Sequence, residues 1–309
     1  MAGRKWTTDE DEFLTEHYGK STVSELVSRL QRRSWDAVKL HAAHLGLSFY
    51  AEGVHPNVES NLSVLLENTP LSFYWMGFLA ADGCFSTKRL KLTLAYRDME
   101  HVVKFANYIS CSGHCRYDNK YEVRAQDAFT IPKILEKFRL NRAKTYHPPD
   151  ITWMSDELFL AFFVGFVDGD GCIKYQTGRK DCVLQIKVHS SWLENLQIMS
   201  DWISELAGIS PVKANINNSG YASVVFGNCI LLRFLKKKVQ EMQLPVLCRK
   251  WNKIDENRVS RYEIAKQNRV NVLAMKQLGL RNVEIAKILR LSQACVSVII
   301  KQSKGNKAA

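Results

Sequence analysis

Two apolar runs dominate the hydropathy pattern, LSFYWMGFLAADGCF from Leu71 and LFLAFFVGFVDGDGCI from Leu158. Each reads as an apolar helix that ends in Asp-Gly and passes through a cysteine into a strand. An alternating strand follows each, Leu90–Leu94 in the first case and Val183–Val188 in the second. A helix comes next, near 98–110 and 191–206. Then come hairpin-like stretches, CRYDNKYEVRA turning at Asp118-Asn119 and VKANINNSGYASVVF turning at Asn217–Gly220. A closing helix lies near 130–139 and 228–242. The order is helix, two strands, helix, two strands, helix, and it occurs twice, over about 67–150 and 151–258. Such an internal duplication governs any reading of the fold.

The flanks have a different period. Residues 4–47 read as three short helices. Thr8 is the expected cap of a first helix running to Tyr18, with Asp9, Glu10, Asp11 and Glu12 in its first turn. Ser21 or Thr22 opens a second helix carrying Leu26 and Leu30. Ser34 opens a third, with Val38, Ala42 and Leu45 on one face and Gly46 as its stop. Trp6 and Trp35 are the expected core anchors. The pattern W-T-x-x-E/D-D-x-x-L, then H-Y, then S-W-x-A-V-x-x-x-A-x-x-L-G-L resembles Myb/SANT-like modules over about 45 residues. Lys39, His41 and His44 are the residues that helix offers to DNA; a helical bundle that binds protein or merely packs is the competing reading. Residues 49–66, with Gly53, Pro56 and several Asn and Ser, read as a linker with one helical turn near Val64–Glu67. Residues 262–303 read as a helix-turn-helix, with helices at Glu284–Leu289 and Gln293–Ile300 and Ser292 as the second cap. Gln293, Ser297 and Lys301 are its candidate DNA-facing residues. The resulting division is 1–48, a linker 49–66, a two-repeat domain 67–258 and a helical module 259–309.

Composition narrows the partner. Hydrophobic residues are 46% and charged residues 24% of 309, an ordinary globular balance. The formal net charge of +12 favours acidic partners, nucleic acid above all. The charge is uneven: residues 1–48 are neutral, whereas 262–309 hold nine Lys/Arg against two acids. The eight cysteines show no disulfide framework, and the one close pair, Cys111 and Cys115, has no second pair to complete a zinc site. With no apolar leader in MAGRKWTTDEDE and no run of about 18 apolar residues, the expectation is an intracellular, soluble protein without a membrane partner.

The repeated helices carry the chemistry. Gly77 in WMGFLAADG and Gly165 in FVGFVDGDG occupy matched places. A mid-helix glycine costs about 1 kcal/mol against alanine, and small residues let two backbones approach closely. If the helices pack through these glycines, Asp82 and Asp170 arrive side by side. Two such carboxylates repel unless a cation lies between them, and a divalent metal with oxygen ligands resolves this. Two carboxylates and a metal on a basic surface suit phosphodiester hydrolysis.

The paired motifs resemble the signatures of the LAGLIDADG homing endonucleases in their single-chain, two-repeat form, over roughly 190 residues. The resemblance implies an α+β fold of two pseudo-symmetric αββαββα repeats, with curved antiparallel sheets that saddle the DNA major groove, here flanked by small all-α modules. It implies Mg²⁺ (or Mn²⁺) held by Asp82 and Asp170 with the carbonyls of Ala81 and Gly169, and supporting lysines at Lys144 and Lys250. Asp98 and Ser191 fall after the second strands, where the family often places a polar residue. Ala80 departs from the pattern, standing where the second motif has Asp168. Alternation turns Lys91 and Thr93 outward from one sheet and Gln185 and Lys187 from the other. Arg116, Lys120, Glu122, Arg124, Lys174, Gln176, Arg179, Lys213, Asn215 and Asn217 extend that DNA-facing set. The implied activity is site-specific double-strand cleavage of a long DNA target by a monomer with internal pseudo-twofold symmetry, leaving short 3′ overhangs. A catalytically silent transcription regulator with a helix-turn-helix, and an intron maturase that binds RNA, are the alternatives; an intein-embedded nuclease does not suit a chain beginning with Met and lacking a His-Asn end.

Overall fold

Three helices open the chain in the computed structural model, which describes residues 5–18, 21, 23–31, 33–47, 60–117, 119–175 and 182–305. They are α1 (Thr8–His17), α2 (Val23–Arg29) and α3 (Trp35–His44). Thr7 rather than Thr8 caps α1. Its hydroxyl accepts from the Glu10 amide at 3.2 Å, and the Glu10 carboxylate accepts from the Thr7 amide at 3.0 Å, a reciprocal capping box. Glu10 also receives Arg33, whose guanidinium lies 4.1 Å from the Trp6 ring centroid. Leu14, Leu30 and Val38 form a small core edged by Trp6 and Trp35. His41 is part of this interior and not an outward reader: it stacks on Trp6 at 4.0 Å and its Nε2 lies 2.6 Å from Asp11. Leu45 is half-open to solvent, while Lys39 is exposed and pairs with Asp36 at 2.7 Å.

The main core begins earlier than the linker reading placed it. Leu62–Leu66 forms a 3₁₀ turn whose Leu62 and Leu65 are buried in that core, because the Ser72 hydroxyl and the Lys137 ammonium tie down the Leu65 and Leu66 carbonyls. Then follow α4 (Pro70–Asp82), β1 (Gly83–Phe85), β2 (Arg89–Ala95), α5 (Met99–Tyr108), β3 (His114–Tyr117), β4 (Lys120–Gln126) and α6 (Thr130–Lys137). The second repeat supplies α7 (Asp156–Asp170), β5 (Gly171–Tyr175), β6 (Cys182–His189), α8 (Leu193–Leu206), β7 (Asn215–Ile216), β8 (Tyr221–Phe226) and α9 (Cys229–Glu241). A short helix, α10 (Cys248–Trp251), was not foreseen from the pattern.

Each repeat builds a four-stranded antiparallel sheet, ordered β1-β2-β4-β3 and β5-β6-β8-β7. The chain is therefore a mixed helix and antiparallel-sheet fold. Leu90, Leu92 and Leu94 point into the core while Lys91 and Thr93 point away, as a period of two requires. The helices α4 and α7 pack against each other, α4 also against β2 and α7 against β6. Ser72–Ala80 and Phe159–Asp168 are buried without interruption, the mark of a helix covered on every side.

Among the described residues, 228–230 and 255–305 form a second compact unit. It contains α11 (Arg261–Gln277), α12 (Asn282–Leu289) and α13 (Gln293–Gly305) around Val272, Ile285, Ala286 and Val296. Arg290 adopts φ +53° to end α12, and the Ser292 hydroxyl accepts from the Cys295 amide to open α13. The sequence pattern did not reveal α11, since Tyr262, Ile264 and Val270 along it are exposed and blur its period. Among the described residues no helix is long and apolar enough to cross a membrane.

Candidate functional site

The site grows from the seam between α4 and α7. A methyl group placed on Gly77 would lie 1.9 Å from the Phe162 carbonyl oxygen, and one on Gly165 would lie 1.9 Å from that of Tyr74. Backbone therefore touches backbone, and no side chain fits between. The seam continues to the helix ends, where a methyl on Gly169 would meet the Ala81 methyl at 2.3 Å and the Asp82 Oδ2 at 3.4 Å. Asp82 and Asp170 end the two helices here. Asp82 is open to solvent on one side and Asp170 is half-buried. Desolvation raises the Asp82 carboxyl above its usual range, with Lys250 and Lys144 pulling the other way. Asp170 is pushed up to about 6, first by desolvation and then by the charge of Asp82. Asp170 thus feels the charge of Asp82 across the seam.

Two lysines close the helix ends. Lys144 Nζ donates to the carbonyls of Ala80 at 2.8 Å and Ala81 at 2.5 Å. Lys250 Nζ donates to the backbone carbonyls of Asp168 at 2.5 Å, Gly171 at 2.6 Å, Val167 at 3.1 Å and Gly169 at 3.3 Å. Both neutralise the negative end of a helix dipole. Burial lowers both ammonium pKa values, and the nearby aspartates counter this. Asp168 lies away from solvent behind the pair. Burial raises its carboxyl, while Tyr74, Leu247 and Trp251 favour its charged form by hydrogen bonding. Asp98 receives Arg249 through two 2.6 Å hydrogen bonds; burial raises this carboxyl, but Arg249 outweighs burial and leaves it below the usual range. Ser191 donates to the Thr145 carbonyl at 2.6 Å.

On the first sheet's outward face Lys91 pairs in register with Arg124, and Thr93 with Glu122. Glu122 is buried, accepts from the Thr93 hydroxyl and lies 2.6 Å from Arg124. Lys120 and Arg116 are exposed at the hairpin end, with Arg116 4.5 Å from the Tyr96 ring centroid. The second face is less charged. Lys174 donates to Gln185 at 2.9 Å, Lys187 lies over Tyr221, and Val225 stands beside Gln185 on the neighbouring strand. Asn215 is exposed, whereas the Asn217 side chain is spent within its turn, accepting from Ser219 and Tyr221. Gln176 and Arg179 lie outside the described residues. In the second unit Gln293, Ser297 and Lys301 share one exposed face of α13, and Ser297 accepts from Asn282 at 3.2 Å.

A divalent cation suits these groups. Asp82 and Asp170 are hard oxygen donors whose desolvation and mutual repulsion a cation relieves. Among the described residues no group of three or more His, Cys, Asp or Glu side chains converges on one point. Magnesium tolerates such a sparse set, since it commonly keeps water and takes one or two carboxylates together with substrate phosphates. The Ala81 and Gly169 carbonyls, expected as further ligands, are engaged by Lys144 and Lys250 in this structure.

No protein-family model matches the chain, and no curated protein matches it by sequence. Among solved structures it is similar to the LAGLIDADG homing endonuclease I-GzeII in complex with its DNA target, at 11% identity and a TM-score of 0.42, over 72% of this chain and 97% of that one. It is likewise similar to the LAGLIDADG meganuclease I-AabMI bound to uncleaved DNA, at 13% identity and a TM-score of 0.42, over 77% and 98% of the two chains. A third is I-SmaMI bound to an uncleaved DNA target in the presence of calcium ions, at 11% identity and a TM-score of 0.37, over 74% and 98%. At that distance the likeness bears on neither activity nor partner.

Proposed function

We propose that this chain is a site-specific, metal-dependent DNA endonuclease with one site for each strand, of the LAGLIDADG homing type that its motifs resemble. The observation that carries the reading is the meeting of Asp82 and Asp170 at the ends of two helices in backbone contact. Acids held together against their own repulsion, beside one buried and one half-buried lysine, have a physical reason to exist if a cation and a phosphodiester come between them.

Asp82 and Asp170 would hold Mg²⁺ or Mn²⁺, which when bound supplies charge for the phosphoryl oxygens and acidity for water. The protein's own part is preorganisation. Gly77 and Gly165 fix the spacing of the acids. Lys144 and Lys250 neutralise the helix ends and place positive charge beside the reacting phosphates. Lys91, Arg124, Lys120 and Arg116 on one sheet, and Lys174, Gln185, Lys187 and Asn215 on the other, would contact phosphates and base edges along a double-stranded target. The α1–α3 module and the second unit, through Lys39 and through Gln293, Ser297 and Lys301, would add linked binding modules and hence effective concentration.

A plasmid library incubated with Mg²⁺ tests this, using wild type, Asp82→Asn and Asp170→Asn. Cleavage at a defined sequence that both substitutions abolish is the expected result. Specific binding without cutting, across metals and a wide library, would return the chain to the regulator reading. Cutting that survives both substitutions would remove these acids from the site.

A further inference from the structure

The two lysines are held in different ways. Asp168 accepts from the Tyr74 hydroxyl at 2.8 Å, the Leu247 amide at 3.0 Å and the Trp251 indole at 2.8 Å. Leu247 and Trp251 bracket Lys250, so α10 is fastened to α7 at both ends. A second tie reaches the same segment from the other repeat, the bidentate Arg249–Asp98 pair.

The pseudo-symmetric positions lack both ties, and lack both partners of each. In α4, Ala80 replaces the acid; in α7, Phe162 replaces Tyr74, so neither carboxylate nor hydroxyl is present. By strand register Trp192 stands at the place of Asp98, and Ala143 precedes Lys144 where Arg249 precedes Lys250. The Lys144 segment rests instead on neutral bonds, from the Trp192 indole to the Lys144 carbonyl at 3.0 Å and from Ser191 to Thr145 at 2.6 Å. Lys250 is only 6% exposed and caps four carbonyls, whereas Lys144 is half-buried and caps two.

We propose that Asp168 is a positioning residue for Lys250, and that the half-site served by Lys250 cuts its strand before the half-site served by Lys144. The inference rests on the nuclease reading above. A charge-bearing group already fixed where it must act needs no reorganisation during reaction. The Lys250 half is built that way, and the other half reaches its geometry only after its looser segment settles.

Strand-resolved cleavage of an end-labelled target recovered from the library decides the matter. The strand slowed by Lys250→Met identifies that lysine's half, and Lys144→Met identifies the other. In the wild type a nick in the Lys250 strand should appear first. Asp168→Asn offers one acceptor oxygen where two are used, and should slow that strand about 100-fold while sparing the other. Tyr74→Phe, which keeps the ring, should act on the same strand to a smaller degree. Equal cutting of both strands by the wild type overturns the order. Slowing of both strands alike by Asp168→Asn, with a lowered thermal midpoint, reduces Asp168 to a structural group. A readout independent of cutting is lysine acetylation followed by mass spectrometry. Asp168→Asn should raise modification of Lys250 about 10-fold and leave Lys144 unchanged; an unchanged Lys250 overturns the anchoring. If no library member is cut by any form, the nuclease reading fails, and the acetylation result still decides whether Asp168 holds Lys250.

Discussion

Gly165→Ala sets two physical effects of opposite sign against each other. Alanine stabilises a helix interior by about 1 kcal/mol relative to glycine. The new methyl, however, would sit 1.9 Å from the Tyr74 carbonyl oxygen, 2.8 Å from its carbon and 2.9 Å from the Phe78 nitrogen. All three are backbone atoms, so no rotamer change relieves the clash. Ordinary contact requires α4 and α7 to part by about 1.5 Å at this point. Separation loosens the packing of Tyr74, Phe78, Phe162 and Phe166, all at most 1% exposed. Overpacking of this kind outweighs the propensity gain, and we expect net destabilisation of about 2–4 kcal/mol. The thermal midpoint should fall by roughly 4–16 °C, at about 2–4 °C per kcal/mol for a domain of this size. Gly77→Ala should behave alike, given the matching 1.9 Å approach to Phe162. Gly208→Ala is the control: it has φ +64° and nothing within 4 Å, so only backbone strain of about 1 kcal/mol applies. An unchanged or raised midpoint in Gly165→Ala would refute the backbone seam.

Calorimetry with and without metal should show Mg²⁺ raising the wild-type midpoint, by the equivalent of about 2.7 kcal/mol at about 100 times its Kd, with the rise lost in Asp82→Asn and in Asp170→Asn; a rise that survives both removes the carboxylates from the metal site. The Asp98–Arg249 pair should make stability depend on pH. Asp98 sits below its unfolded value, so its contribution is fully present above the ordinary carboxylate range and is lost as pH falls through the lower native value. Wild type should therefore exceed Asp98→Asn by about 1.5–3 kcal/mol at neutral pH and converge with it as pH falls through the lowered native value, and a gap that does not close contradicts the pairing. On the proposed DNA-reading role of this face, Arg124, paired with Glu122, reads a base edge: Arg124→Ala should then relax preference at one base pair by about 1–3 kcal/mol in a binding selection, whereas uniform weakening across sequences would mark a phosphate contact. Removing residues 262–309 should lower DNA affinity and flatten its salt dependence; an unaltered slope would argue against a DNA role for that unit.

What the sequence makes legible follows from range. The leucines of β2 declare which way they face because neighbours on one strand settle it, and the same holds for the caps at Ser34 and Ser292. The two motif helices are legible because an uninterrupted apolar run has few other uses. Asp168 is different: it stands beside Asp170 in the chain, but its partners lie 79 to 94 residues away, and no local pattern announces them. For the same reason α10 escapes notice, since four residues carry no period. Thr7 displaces Thr8 as the first cap because Glu10 reaches back to it, a spacing of three that was readable in principle.

The contact of Gly77 and Gly165 with the opposing backbone bears on how such a protein can change over generations. The separation of Asp82 from Asp170 is set by peptide geometry along the seam and, at its end, by nothing larger than the Ala81 methyl. Substitutions on the outward faces of β2, β4, β6 and β8 leave that separation untouched. On the proposed nuclease reading, the chain therefore acquires a new target by ordinary drift on its sheets while inheriting its centre intact.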